Sequence, residues 1–137
     1  MKKEKVYSVE IFWEIPISGM ADYENSPHFF DALEDEVLES DSICQYNLIP
    51  LNEETANAVL RKRELWFKWQ TLNEEGNIED ETYPILSTDK EEYENLKKLI
   101  DNYLYSNSAK AFVKKGVFTN LENAKNINFS TYTVEWS

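Results

Sequence analysis

Glycine, histidine and cysteine are nearly absent from this chain: its 137 residues include three Gly, one His and one Cys. Gly19, Gly76 and Gly116 stand far apart, so they build neither a phosphate-cradling P-loop nor a dinucleotide fingerprint. One His and one Cys cannot supply the zinc sets that draw on several of each. Catalytic triads need a His beside a nucleophile. His28 succeeds Pro27 at the start of an expected helix, where a surface or capping role suits it. Cys44 is expected in the core, because free Cys is commonly buried. A lone Cys makes no intrachain disulfide, so nothing points to an oxidising compartment.

Long apolar runs are missing as well. The opening Met1-Lys2-Lys3-Glu4-Lys5 is basic, as in a signal peptide, but Ser8, Glu10, Glu14 and Pro16 interrupt the apolar residues after it. No run has the length of a membrane span. A cytoplasmic protein with no membrane association is expected.

Aromatic rings and acid are plentiful. Four Trp, eight Tyr and seven Phe are spread along the chain, enough to build a core and to argue against disorder. At this length one globular domain, residues 1–137, is expected. The net charge of −12 is unevenly placed: residues 1–42 carry −8, 43–72 carry +1, 73–106 carry −7 and 107–137 carry +2. Such a chain repels nucleic-acid phosphate and anionic membranes and attracts cationic partners.

Period-two alternation predicts a strand over residues 5–17, with Tyr7, Val9, Ile11, Trp13 and Ile15 on one face and Pro16 ending the regular pairing. Residues 18–25 read as a loop. Ser26-Pro27 has the form of a helix start, and Phe29, Phe30, Leu33, Val37 and Leu38 continue it at helical spacing, predicting a helix to about Ser40. A short strand is expected over 43–51, then a helix capped by Asn52 and stopped at Gly76. Thr88-Asp89-Lys90-Glu91 matches a capping box and opens an amphipathic helix ending near Tyr105. Residues 108–115 read as a short helix closed by Gly116, with a strand as the alternative, and residues 127–136 as a strand. The expected fold is therefore α+β: a small, mostly antiparallel sheet of three to four strands, N- and C-terminal strands paired, packed with about three helices.

Carboxylates are the remaining reactive stock. Asp31, Glu34, Asp35 and Glu39 belong to the expected acidic helix, and Glu79, Asp80 and Glu81 to a loop. Neither set has EF-hand spacing, so both are expected as solvated charge suited to pairing with Lys or Arg of a partner. Ser87-Thr88-Asp89-Lys90 matches S-x-x-K formally, but its companion motifs are missing and the same residues make a helix N-terminus. The segment from Arg61 to Gln70 holds both arginines and two of the four tryptophans. Its helix is apolar over more than half its circumference, which suits a central helix or one with an aromatic edge toward a partner. Basic–aromatic interleaving also suits single-stranded nucleic acid, but the flanking acidic blocks oppose it.

These observations indicate no catalytic residue, metal site or cofactor. The expected function is that of a non-enzymatic acidic binding module, of the inhibitor or immunity type. It would engage a basic protein partner through Asp31, Glu34, Asp35 and Glu39, with Glu79, Asp80 and Glu81 second. Two other classes fit the same inventory. One is a small-ligand-binding protein or carboxylate-dependent enzyme whose pocket is lined by Trp66, Trp69 and Trp136. The other is an oligomeric structural subunit that buries surplus aromatics between copies.

Overall fold

The structure is a computed structural model that describes residues 2–13, 15–33, 43–74, 76, 85–120 and 132–137, without the side chains of 11–13, 15, 43, 44 and 120. The chain forms two compact units: Met1–Asn52 with Asn107–Ser137, and Glu53–Ser106.

The first unit is a closed barrel of six strands: β1 (Glu4–Trp13), β2 (Ile15–Tyr23), β3 (Ser26–Ala32), β4 (Ile43–Pro50), β5 (Phe112–Asn120) and β6 (Tyr132–Trp136). Each strand runs antiparallel to its neighbour in sequence. The barrel closes where β6 returns to β1, with Glu4 opposite Val134 and Lys5 opposite Thr133. The expected pairing of first and last strands is present. The expected α+β fold, an open sheet of three to four strands with about three helices, is not: the sheet closes on six strands, and the described residues contain two α-helices.

Four local expectations fail. Residues 5–17 are not one strand: β1 and β2 pair antiparallel, with Trp13 opposite Ile15 and Phe12 opposite Pro16. Residues 18–23, read as loop, continue β2. Ser26–Ala32, read as the first turns of a helix, is β3, and residues 34–40 of that expected helix lie outside the described residues. Residues 108–115 form a 3-10 turn, Ser108–Lys110, and then enter β5, with Gly116 inside the strand. A helix at 26–32 would satisfy its own backbone but leave the facing edges of β2 and β4 unpaired, and a closed barrel removes those edges. Within β3, His28 and Phe30 are buried while Phe29 is half-buried and Asp31 exposed, a strand's period of two.

The barrel interior is filled by side chains. Val6, Phe30, Leu48 and Val134 are wholly buried. The rings of Phe30, Tyr46, Phe118 and Trp136 touch one another with centroids 5.0–6.3 Å apart. Two of these rings carry polar tips, and both are satisfied: Tyr46 Oη donates to the Pro16 carbonyl (2.7 Å) and Trp136 Nε1 to the Asp22 carbonyl (2.9 Å). Gly116 lies opposite Trp136, where a Cβ would meet the indole at 2.6 Å, so glycine makes room for the ring. Register shifts on either side of Val9 let Val6 and Val9 both face the core, while Tyr7, expected beside Val9, is half-buried outside that cluster.

The turn from β2 to β3 places Glu24 and Asn25 at φ 52° and 65°, the two left-handed residues of a type I′ hairpin. The buried Glu4 carboxylate accepts the Asn25 backbone N–H at 2.9 Å, and Lys2 Nζ donates to the Asn25 side chain. The turn is thereby tied back to β1.

The second unit holds α1 (Glu53–Glu74) and α2 (Lys90–Ser106), the latter preceded by a 3-10 turn, Ser87–Asp89. Both helices were legible in the sequence. They run antiparallel: Lys68 meets Asp89 at 3.0 Å, and Arg61 meets Glu92 at 2.8 Å. Arg61 grips Glu92 with Nε and Nη2 and reaches Glu64 with Nη1. That grip, followed by the guanidinium's charge, holds the Glu92 carboxyl below its ordinary range. Both groups are about half exposed, so the pair orients the helices more than it stabilises them. No helix among the described residues is long and apolar enough to cross a membrane.

Candidate functional site

Of the seven acidic residues expected to bind a partner, one is among the described residues. Asp31 is exposed on β3, opposite Ser18 of β2 and Asn47 of β4. Glu34, Asp35, Glu39, Glu79, Asp80 and Glu81 lie outside the described residues.

The three candidate pocket aromatics divide between the two units. Trp66 and Trp69 are half-buried on α1, Trp66 edge-on to Phe67 with centroids 5.2 Å apart. Trp136 belongs to the packed interior of the barrel.

Barrel closure gathers a set of residues that local periodicity did not group. Tyr23, His28 and Phe112 make mutual ring contacts, with centroids 5.2–5.7 Å apart. Lys114 lies opposite the core residue Tyr46 and so faces inward, with its ammonium 5.7 Å from the Tyr23 ring centroid. His28 is buried, and its Nδ1 stands 2.7 Å from the Ser26 carbonyl oxygen. A carbonyl only accepts, so Nδ1 donates this hydrogen bond. These residues come from β2, β3 and β5. The one available signal was a strand reading of residues 26–32, which puts His28 and Phe30 on the same face. Chemically the group offers a base, an ammonium and a phenol. Its four members include no aliphatic hydroxyl or thiol that the imidazole could activate. Among the described residues no three His, Cys, Asp or Glu converge as metal ligands.

A second polar group surrounds Tyr7. Lys5 Nζ lies 4.6 Å from the Tyr7 ring centroid. Partial burial, and then the neighbouring Asp22 carboxylate, push the Tyr7 phenol above its ordinary value. A raised value in the folded state means that the native protein holds this proton more tightly than the unfolded chain. The resulting stability is complete below the unfolded value of about 10 and fades as pH rises through the folded one. Urea melts at about pH 9 and about pH 11 should show a smaller alkaline loss in Tyr7→Phe than in the wild type. Equal losses would show that Tyr7 ionises as it does in the open chain.

Comparison with family models, with curated proteins and with solved structures gave no match to this chain.

Proposed function

We propose that this chain is a non-enzymatic acidic binding module, acting in the cytoplasm, that engages a basic protein partner through its acidic segments. The blocked placement of charge along the chain carries this reading. Residues 1–42 carry −8 and 73–106 carry −7, whereas 43–72 carry +1 and 107–137 carry +2. Blocks of one sign steer a cationic partner over a long range and pair with its Lys and Arg on contact. The barrel interior is taken up by Phe30, Tyr46, Phe118 and Trp136, which leaves recognition to the surface.

The test is capture of proteins from a lysate of the source cell at about 50 mM and about 500 mM salt. A basic protein should be retained at the lower salt and released at the higher, because surface electrostatics are screened within about a Debye length. Replacing Glu34, Asp35 and Glu39 by Gln, Asn and Gln should reduce that retention about tenfold. Retention of no basic protein, or retention indifferent to both salt and these substitutions, would overturn the proposal.

A further inference from the structure

We propose that one face of the α1–α2 hairpin is an interface between two copies of this chain. Two shallow grooves flank the ion-paired seam between the helices. Arg63, Glu64, Phe67, Lys68, Thr71 and Leu72 line the groove on α1. Thr88, Glu91, Glu92, Asn95, Leu96 and Leu99 line the groove on α2. The seam is marked by Arg61 and Lys68 on α1, by Glu92 on α2 and by Asp89 in the 3-10 turn before it. Turning about 100° per residue from the seam centres each groove roughly 60° away, in the same rotational sense. Because the helices are antiparallel, both grooves fall on the same side of the hairpin.

That side is amphipathic in an unusual way. Phe67, Leu72, Leu96 and Leu99 are half-buried along it, apolar surface that two helices alone do not cover. The α1 groove carries Arg63 and Lys68 beside one acid, Glu64; Arg61 contacts Glu64, and Lys68 pairs with Asp89. The α2 groove carries Glu91, and Glu92 in the grip of Arg61, and no base among its lining residues. One face thus presents a basic-rimmed apolar strip next to an acidic-rimmed one. A two-fold axis parallel to the helices lays each α1 on the partner copy's α2, so the complementary contact is made twice and the interface is isologous. A second copy is the occupant that this self-complementarity fits.

The size of the face sets the strength. The 17 residues of α2 span about 25 Å, and two helices side by side about 20 Å, which is the small end of specific interfaces. A dissociation constant in the micromolar range is expected.

Sedimentation velocity from about 5 to about 500 µM should show a monomer–dimer equilibrium for the wild type. Arg63→Glu and Glu91→Arg should each weaken it about tenfold or more, with unchanged far-UV circular dichroism. An equal mixture of the two variants should recover dimer. In the mixed pair the new carboxylate at position 63 of one copy meets the new guanidinium at position 91 of the other, and the second contact is native. Leu99→Asp, which leaves those charges in place, should weaken dimerisation as well. A wild-type monomer at every concentration would overturn the proposal. Folded charge variants that dimerise like the wild type, or a mixture that recovers nothing, would overturn it equally. The triple variant at Glu34, Asp35 and Glu39 should dimerise normally, so the two proposals can fail separately.

Discussion

Gly19→Ala is expected to destabilise the barrel by about 3 kcal/mol or more, at the upper end for overpacking a tight site. Gly19 pairs with Val9 of β1 and with Phe30 of β3. A Cβ at this position would stand 2.1 Å from the Ser8 carbonyl oxygen and 2.9 Å from Val9 Cα. Both are backbone atoms, so no rotamer change relieves the clash, and β1 itself must move. The same stretch of β1 carries the register shifts that bend it toward β2. Gly116→Ala offers a contrast, since there the added methyl meets the Trp136 and Tyr46 rings, which can shift. Urea melts followed by tryptophan fluorescence should rank Gly19→Ala as clearly the more damaging. A loss below about 1 kcal/mol at Gly19 would mean that β1 and β2 do not approach this closely.

Phe30→Ala should cost about 3–5 kcal/mol, the range for removing a large buried ring. Phe30 is wholly buried, and its ring lies 5.0 Å from Phe118, 5.6 Å from Tyr46 and 6.3 Å from Trp136. The cost lies at the high end because the cavity cannot readily collapse. The neighbours hang from different strands of a closed ladder, and drawing them inward would break hydrogen bonds on the far side of the barrel. Near-UV circular dichroism should weaken together with stability, since Trp136 loses a ring neighbour. Near-wild-type stability in denaturant would indicate that the four-ring cluster is not the centre of the core.

The candidate sites were legible to very different degrees. The acidic blocks are a matter of composition and were visible directly. The Tyr23, His28, Phe112 and Lys114 group was not, because its members share no local period. They become neighbours when β3 pairs with β2 on one side and, through β4, with β5 on the other. His28 was read in a helix because Ser26-Pro27 is a sound helix start and Phe29, Phe30 and Leu33 extend the helical pattern.

By itself the sequence determined both helices and the meeting of the chain's first and last strands. Helical information is local. Asn52 with Glu53 and Glu54 opens α1, and the stripe of Tyr93, Leu96, Ile100 and Tyr103 shapes α2, with each turn bonding to the one before it. Strands β1 and β6 were legible because their β-forming and aromatic residues are dense enough to declare themselves. Only the tertiary structure decided that β2, β3 and β5 are strands and that the sheet closes. The inward positions of β2 include Gly19 and Ala21, too small to show apolar alternation, and their smallness matters only once Phe30 and Val6 lie alongside. A strand's hydrogen bonds belong to partners elsewhere in the chain, so its stability is a property of the finished barrel and not of the segment.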